Sequence, residues 1–359
     1  MTQVPSQPLS PKSASLEPPA VTFMARHGIV GIAPVALPGD ASARRYWRLP
    51  GAGLLLMHDP SDPVGFSSYI RVARHLNGLG LSAPRVEGAD PAMCLALIED
   101  WGEATYTNCL QAGADEAELY TLAIDALLAL HHAPAAAQIA QPAYDRATWL
   151  RELQVFCDWF VAALDPSCDR VAFDAAFRAL WETALSDLMD RRETLVLRDF
   201  HVDNLMLLAG RAGVARCGLL DFQDAVLGPC EYDLVSLLQD ARRDLPAGLE
   251  PALLARYCAA APESLGGPEQ IRARYHLMGA QRHARICGVF VRLCLRDGKP
   301  QYLRWLPRVL GQLETALAAA GLDQIRALLD DALPDWRARG VALAQTLPSG
   351  AAPQQRTRP

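Results

Sequence analysis

Three side chains in residues 197–224 have the types and the spacing that phosphoryl transfer requires. The stretch LRDFHVDN contains Asp199 and, five positions later, Asn204; the later stretch LLDFQDA contains Asp221. Phosphoryl transfer needs a carboxylate that orients the attacking hydroxyl group, and oxygen ligands that hold Mg²⁺ on the nucleotide phosphates. Because one segment supplies all three groups, we interpret it as a centre for phosphoryl transfer.

Each of the three residues has its own role in this interpretation. Asp199 is the candidate catalytic base, because a carboxylate there can accept the proton of a sugar or alcohol hydroxyl. Asn204 and Asp221 are the candidate metal ligands, since Mg²⁺ prefers hard oxygen atoms. Alone, Asp199 would fit an ordinary turn equally well. Its combination with LLDFQDA, after a hairpin of suitable length, favours the catalytic role.

Several neighbouring polar residues have more than one possible role. Asp224 is a candidate for the substrate side, and it can also contact a second metal ion or cap the next segment. Asp233 either caps a helix or bridges back to the loop of Asp199. His201 and Asp203 could suit a transition metal, but we favour a hydrogen-bonding role for His201 in shaping the loop.

Short apolar runs separated by turn residues predict a small β-rich lobe over residues 35–100. A hairpin is predicted from Arg45–Leu49 and Leu54–Met57, which flank a Pro-Gly-Ala-Gly turn. A helix is predicted over residues 65–78, and a last strand over Cys94–Ile98. The sequence therefore places strands before helices, which is typical of an α+β fold.

From about residue 115 the apolar spacing becomes helical. Further helices are predicted over residues 148–164, 172–190, 232–243, 250–261, 268–295 and 302–332. A short strand, Leu195–Leu197, and a hairpin from Leu205–Leu208 and Ala215–Leu220 interrupt them around the candidate centre. The predicted organisation is a disordered arm over 1–20, an N-lobe over 21–102, a C-lobe over 103–340 and a flexible tail over 341–359.

The nucleotide-binding residues are predicted from their position along the chain more than from a motif. The segment Gly39–Arg45 precedes the hairpin, where a phosphate-covering loop would lie, and its Ser42, Arg44 and Arg45 are candidate phosphate contacts. A plain surface turn fits this segment equally well. Glu99 and Trp101 end the last strand of the small lobe, where backbone groups would bind the nucleotide base.

A predicted helix near the C-terminus contains Arg282 and Arg285, one helical turn apart. Side chains at this spacing can share a face and contact an anionic group of a substrate. A solvated basic face is the equally simple alternative.

Composition limits the possible partners. The chain has 359 residues and a formal net charge of −6, which argues against nucleic acid as a partner. No apolar run is long enough to span a bilayer, and we find no signal sequence. The nine Cys have no paired spacing, which indicates reduced thiols in the cytoplasm and makes a zinc site unlikely.

These motifs resemble the aminoglycoside phosphotransferase and choline kinase superfamily. Further stretches are similar to the bacterial sugar 1-kinases that phosphorylate N-acetylmuramate and N-acetylglucosamine at the anomeric hydroxyl during peptidoglycan recycling. These stretches are GDASARRYWRL, LMHDP, YIRVARHLNGLGLSAPRV, LLDFQDAVLGPCEYDLVSLLQDAR and GAQRHARICGVFVRLCLRDGKPQYL. The resemblance covers about residues 30–335. It implies a protein-kinase-like two-lobed fold, ATP and Mg²⁺ as cofactors, a small-molecule sugar substrate and a monomer in the cytoplasm.

The chain departs from the superfamily pattern at two places. Leu197 stands where a His usually precedes the catalytic Asp. The strand Leu55–His58 lacks the phosphate-binding Lys, and the following helix lacks its partner Glu. Losing both together avoids an unpaired charge, and it implies that another cation, Arg44 or Arg45, holds the phosphates.

Two alternative functions stay open on the sequence alone. One is a kinase of the same fold for an aminoglycoside, choline or a similar alcohol; the basic helix of Arg282 and Arg285 argues against such cationic substrates. The other is a nucleotide-binding pseudokinase, which the missing Lys favours and the complete set of Asp199, Asn204 and Asp221 opposes.

Overall fold

The computed structural model describes residues 16–38 and 44–347, which form two compact units. Of these described residues, the first unit contains those up to Ala126 together with Val202–Ala225. The second contains Leu127–His201 and the described residues from Val226 onward. The lobe boundary predicted after residue 102 stays a prediction; the compact units divide the chain after Ala126.

The first unit is built on a five-stranded antiparallel sheet with the strand order β1-β2-β3-β5-β4. Its strands are β1 (Val35–Ala36), β2 (Arg45–Leu49), β3 (Leu54–His58), β4 (Val86–Asp90) and β5 (Leu95–Glu99). The predicted hairpin is confirmed as β2 and β3. Its turn contains Gly51 and Gly53 with φ of 81° and 66°, a conformation that glycine adopts without strain.

Two helices accompany this sheet. α1 (Pro18–Arg26) buries Phe23 and Met24 in one apolar cluster with Trp47 and Leu56 of the sheet. This helix begins inside the segment 1–20 that the sequence predicted to be disordered, because its apolar side chains have a sheet face to cover.

α2 (Pro63–Gly78) matches the helix predicted over 65–78. It begins after Asp62, whose Oδ1 accepts a hydrogen bond from Gly65 N at 2.8 Å, as is typical of a helix N-cap. The same unit contains α3 (Tyr106–Gln111) and the start of α4 (Glu116–His132).

Two short antiparallel pairs surround the candidate centre along the chain. β7 (Leu205–Leu207) pairs with β8 (Cys217–Leu219) in the first unit and confirms the second predicted hairpin. β6 (Thr194–Val196) pairs with β9 (Val226–Gly228) in the second unit. β9 was missed by the sequence reading because three residues give too short a run to show alternation.

The rest of the second unit is helical. Its helices are α5 (Arg146–Val155), a π-helical turn (Phe156–Val161), α6 (Ala162–Leu164), α7 (Arg170–Ala184), α8 (Ser186–Met189), α9 (Glu231–Leu238), α10 (Leu249–Ala260), α11 (Pro268–Leu295), α12 (Leu306–Ala319), α13 (Asp323–Ala332) and α14 (Trp336–Thr346). No helix in the described part combines the length and the apolar character needed to cross a bilayer.

The helical predictions differ from the structure mainly where one helix was expected and two form. The helix predicted over 302–332 is divided into α12 and α13, and Gly321 between them has φ of 65°. α14 extends to Thr346, into the segment predicted as a tail from residue 341. α11 has the predicted bounds of 268–295.

α11 packs against the π-helical turn through Gly288. A Cβ atom placed on Gly288 would lie 2.2 Å from the carbonyl oxygen of Val155 and 2.7 Å from the backbone nitrogen of Phe156. Only a residue without a side chain permits this approach. The absence of a Cβ atom at Gly288 therefore permits the short distance between α11 and the π-helical turn.

We expect Gly288→Ala to destabilise the protein by about 1–3 kcal/mol or more, because backbone atoms cannot move aside to admit the methyl group. Gly78→Ala is the matched control, since this helical glycine has nothing within 4 Å of the new Cβ atom. The control should be neutral or slightly stabilising. Thermal unfolding followed by circular dichroism tests both; equal midpoints for the two variants would contradict the packing argument.

Candidate active site

The two candidate metal ligands lie next to each other at one end of the β7–β8 hairpin. Asn204 immediately precedes β7, and Asp221 follows β8 by two residues; Leu220 N donates to Asn204 O at 2.9 Å and holds these two ends together. Asn204 Nδ2 donates to Asp221 Oδ2 at 3.5 Å. An amide oxygen and an exposed carboxylate this close together suit the few hard ligands that Mg²⁺ takes from protein.

The backbone of Asp221 is in the left-handed region, with φ of 58°. A non-glycine residue in a sparsely populated region costs on the order of 1–3 kcal/mol and persists only where its surroundings hold it. Gln223 supplies one such contact, because its Nε2 donates to Asp221 Oδ1 at 3.0 Å.

Asn204 and Asp221 line a cavity of about 380 Å³ in the first unit. Its apolar walls come from the sheet and from β7, and the side chain of Trp101 closes one side. The other lining residues that matter here are Tyr46, Leu55, Ile98 and Met206. A cavity of this size that combines apolar walls with polar groups is typical of a small-molecule site.

The predicted base-binding segment belongs to this cavity. Trp101 packs flat on Gly218, where an added Cβ would lie 2.6 Å from the ring, and the Arg211 guanidinium lies 5.3 Å from the ring centroid. Arg211 Nη2 also donates to Glu99 Oε1 at 2.8 Å. Burial alone would raise the pKa of Glu99, but the hydrogen bonds from Arg211 lower it. The Glu99 side chain is thus already bonded to Arg211, and the backbone groups of this segment are the ones that can bind a nucleotide base.

The two predicted phosphate-binding arginines lie in different surroundings. Ser42 and the rest of residues 39–43 lie outside the described range. Arg44 is buried and paired with Asp59 at 2.9 Å. Arg45 is exposed and shares with Trp47 a cavity on the α1 side of the sheet, whereas Tyr46 lines the cavity of Asp221. Because successive strand residues point to opposite faces, Arg45 faces away from that cavity.

The loop of Asp199, in the second unit, is held by Asp233. Leu197 N and Arg198 N donate to the two carboxylate oxygens of Asp233 at 2.6 and 2.8 Å, and Ser236 Oγ donates to Arg198 O at 3.3 Å. Asp233 therefore bridges to the loop, which was one of its two predicted roles. Burial raises the pKa of Asp233 to about 7, although both backbone donors act to lower it.

Arg198 has φ of 71°, so the residue before Asp199 is also in the left-handed region. Its guanidinium donates to Glu152 of α5 and lies 5.7 Å from the ring centroid of Tyr144. Tyr144 also donates its hydroxyl hydrogen to Glu152. The side chain and the backbone of Arg198 are thus both fixed, and Asp199 follows a fully anchored residue.

The two arginines of α11 that the sequence predicts as substrate contacts differ in availability. Arg282 is buried and donates to Tyr232 Oη at 3.0 Å and to Ser236 Oγ at 2.8 Å. Arg285 also donates to Tyr232 Oη, at 3.2 Å, and its Nε lies 3.6 Å from Glu152, with about a quarter of its side chain exposed. They share a face as predicted, but Arg285 is the more accessible of the two.

The remaining predicted residues are placed as follows. Asp224 is exposed in the turn after Phe222. His201 is buried, and its backbone N donates to Asp199 O at 3.2 Å. Among the described residues, the His, Cys and carboxylate groups close enough for a metal ion are those of Glu193, Cys230 and Glu231, and Arg274 already binds Glu231 at 2.8 Å. His201 and Asp203 are not part of this group.

Comparison with known proteins identifies similar sequences. The model of the phosphotransferase enzyme family, APH, matches residues 35–273. A protein of Caulobacter vibrioides named N-acetylmuramate/N-acetylglucosamine kinase is 35% identical, over 90% of this chain and 98% of its own length. A protein of the same name from Pseudomonas aeruginosa is 36% identical, over 78% of this chain and 82% of its own length.

Solved structures share the fold at low sequence identity. A choline/ethanolamine kinase family protein from Mesorhizobium loti superposes with a TM-score of 0.56 at 14% identity, over 92% of this chain and 98% of that one. The aminoglycoside phosphotransferase APH(2'')-Ib with bound ADP gives 0.56 and 14%, over 85% and 99%. These likenesses confirm the predicted α+β fold, with a small antiparallel sheet followed by a larger helical part.

Sequence reading missed three residues that shape these sites. Gln223 lies inside the LLDFQDA motif and Asp59 directly follows β3, so position along the chain was an available signal for both. No sequence signal was available for Glu152, because a single acidic residue in a helical stretch is normally interpreted as a solvated side chain.

We expect Glu152→Gln to lower the free energy of unfolding by about 3–5 kcal/mol at pH 7, because two arginines then lose their buried counter-charge. Burial alone would raise the pKa of Glu152, but Arg285 and Arg198 lower it. Its contribution is therefore present above the ordinary Glu pKa of about 4.3 and lost as the pH falls through the lower folded pKa. The difference from wild type should shrink over that acidic range.

Urea unfolding from pH 7.5 down to pH 4 and below measures this difference. Glu182→Gln is the control, since Glu182 pairs with Arg146 and Arg178 at the surface, where an ion pair contributes about 0–1 kcal/mol. If the two variants lost equal stability at pH 7, Glu152 would not be the central counter-charge of the Asp199 loop.

Proposed function

The chain belongs to the phosphotransferase enzyme family, and from this premise we propose that it phosphorylates the anomeric C1 hydroxyl of N-acetylmuramate, N-acetylglucosamine or both, with ATP and Mg²⁺. As a family member it is a small-molecule kinase. The sugar is supported by the name of its relatives at 33–36% identity. We further propose that the product enters peptidoglycan recycling in the cytoplasm.

The observation that carries the reaction class is the pair of Asn204 and Asp221 at one end of the 380 Å³ cavity. In the proposal the nucleotide base lies beside Trp101 and the phosphates extend toward this pair. Asn204 and Asp221 would hold Mg²⁺, which neutralises charge on the transferring phosphoryl group when bound. The backbone of the segment from Gly39 to Arg44 is our proposal for the phosphate cover.

Asp199 is the proposed catalytic base. Its carboxylate orients the sugar hydroxyl for attack and accepts its proton. Catalysis of this kind consists mainly of positioning and charge stabilisation, so a small displacement of the carboxylate is costly. The hydrogen bonds that fix Leu197 and Arg198 to Asp233 therefore serve the reaction by limiting the motion of the neighbouring Asp199.

The anionic substrate group also has a proposed contact. N-acetylmuramate differs from N-acetylglucosamine by a lactyl ether, which adds a carboxylate. Arg285 is the more accessible of the two predicted arginines, whereas Arg282 has its donors on Tyr232 and Ser236. We therefore assign the carboxylate contact to Arg285 and a supporting role to Arg282. Asp224 stays a proposal for the substrate side.

We expect Asp199→Asn to lower kcat by at least about 10²–10⁴-fold, because an amide cannot accept the hydroxyl proton. Release of ADP from Mg-ATP with each sugar measures the rate, and ³¹P NMR locates the phosphate on C1. Asp187→Asn, at an exposed position of α8, is the matched control. Turnover on neither sugar in the wild type would refute the proposed substrates and favour another alcohol, or a pseudokinase if nucleotide still bound.

We expect Arg285→Ala to raise the KM for N-acetylmuramate by roughly tenfold and to change the KM for N-acetylglucosamine much less, since a hydrogen bond to a charged group contributes about 1.5–3 kcal/mol. Arg282→Ala should affect both sugars alike, because Arg282 acts through its hydrogen bonds to Tyr232 and Ser236. Steady-state kinetics on both sugars provides the comparison. An unchanged muramate KM in both variants would remove α11 from the list of carboxylate contacts.

A further inference from the structure

The chain lacks the lysine that its family resemblance placed on β3, and a buried arginine lies beside the corresponding end of the sheet. β3 reads Leu-Leu-Leu-Met-His, and Asp59 follows it directly. Arg44, the residue before β2, points its guanidinium at Asp59 with Nε donating to Oδ2 at 2.9 Å. Only 7% and 5% of the two side chains are exposed, so this ion pair is shielded from solvent and from salt.

The second arm of Arg44 reaches the segment after β8. Arg44 Nη1 donates to Gln223 Oε1 at 2.9 Å, while Gln223 Nε2 donates to Asp221 Oδ1 at 3.0 Å. The amide of Gln223 can connect these two groups because it offers an acceptor on one side and a donor on the other. The opposite amide orientation would set NH₂ against a cation and oxygen against a carboxylate, so the order of contacts also fixes the amide.

Helix α2 fixes the same segment from another direction. Ser68 Oγ donates to the carbonyl oxygen of Gln223 at 2.6 Å. Tyr69, the next residue of α2, stacks on Phe222 with ring centroids 5.0 Å apart, and Arg44 lies 5.6 Å from the Tyr69 ring centroid. Contacts with α2 and Arg44 therefore fix Phe222 and Gln223, the two residues that follow Asp221.

We propose that Arg44 and Gln223 are positioning residues that hold the carboxylate of Asp221 for the metal ion of the bound nucleotide. The proposal rests on the proposed function to the extent that Asp221 is taken as a metal ligand. Arg44 acts on Asp221 through Gln223, since its Nε is bonded to Asp59 and its Nη1 to Gln223. The left-handed backbone of Asp221 makes such support necessary.

Arginine suits this role and lysine does not. A guanidinium presents donors in a rigid planar fork, so one side chain can bind Asp59 and Gln223 at once. A lysine ammonium is a single point charge that would stay with Asp59. Arg44→Lys should therefore keep the buried ion pair and lose the connection to Asp221.

The test measures nucleotide binding without sugar, so that it does not depend on the proposed substrate. Isothermal titration calorimetry gives the Kd of AMP-PNP with saturating Mg²⁺ and the Kd with EDTA, and their ratio reports the metal-dependent part of binding. We expect Gln223→Ala and Arg44→Lys to reduce the ratio of the Kd in EDTA to the Kd with Mg²⁺ by about tenfold, since loss of a group that orients a metal ligand typically costs 10–100-fold in metal affinity. The Kd in EDTA should change less than twofold.

Gln138→Ala, an exposed glutamine of the second unit, is the matched control and should bind like the wild type. Thermal unfolding confirms that each variant is folded, and Gln223→Ala leaves the pair of Arg44 and Asp59 intact. The proposal is overturned if Gln223→Ala binds Mg-nucleotide like the wild type, or if Arg44→Lys weakens binding equally with and without Mg²⁺, which would indicate a direct phosphate contact. A wild type whose nucleotide binding ignores Mg²⁺ overturns it as well, whereas sugar turnover is measured separately and tests only the proposed substrates.

Discussion

The two backbone hydrogen bonds to the buried carboxylate of Asp233 are the constraint on which the loop of Asp199 depends. They end on consecutive residues, Leu197 and Arg198, and the second of these has a left-handed backbone. The strained conformation costs on the order of 1–3 kcal/mol, which two hydrogen bonds can offset, since each contributes about 0.5–1.5 kcal/mol and about 1.5–3 kcal/mol when the carboxylate is charged. Without Asp233 the turn would relax, and the direction in which Asp199 leaves the β6 strand would no longer be defined.

Buried arginine forks extend this anchoring in both units. Arg198 joins Glu152 to the backbone held by Asp233, and Arg44 joins Asp59 to Gln223. In each case a carboxylate compensates the buried charge of the guanidinium. The same guanidinium also contacts a second side chain, either through another N–H donor or through its planar face. This use fits a chain in which lysine occurs twice among 34 basic residues, Lys12 and Lys299.

The parts of the fold that sequence reading predicted are those with a local signal. The β2–β3 hairpin has two short apolar runs separated by a glycine turn, and α11 has uninterrupted helical spacing, so both were predicted within a residue or two. The Asp199, Asn204 and Asp221 set was found because its spacing is a motif. Arg45 illustrates the limit. It adjoins Arg44 in sequence, and only the register of β2 determines that their side chains have different surroundings.

Long-range pairing explains the remaining misses. Glu152 lies 46 residues from Arg198, and Arg44 lies 179 residues from Gln223, so nothing local in the sequence relates them. α1 was not predicted because its role is to cover a sheet face that exists only after β2, β3 and β5 have paired. Such features follow from tertiary packing, which amphipathic pattern and propensity describe only in part.

The absence of a lysine from β3 is consistent with the burial and charge balance of this part of the sheet. A lysine on β3 would enter a strand whose Leu56 and Met57 are fully buried, and without an acidic partner on α2 it would be an uncompensated charge there. Arg44 and Asp59 form a neutral pair at the edge of the same strand, so the charge balance of the sheet is kept. Through Gln223, Arg44 orients the carboxylate of Asp221. Any side chain that contacts a residue beside Asp221 can provide such orientation. The cation beside β3 in this chain therefore constrains the metal ligand, a role distinct from the phosphate contact of the family lysine.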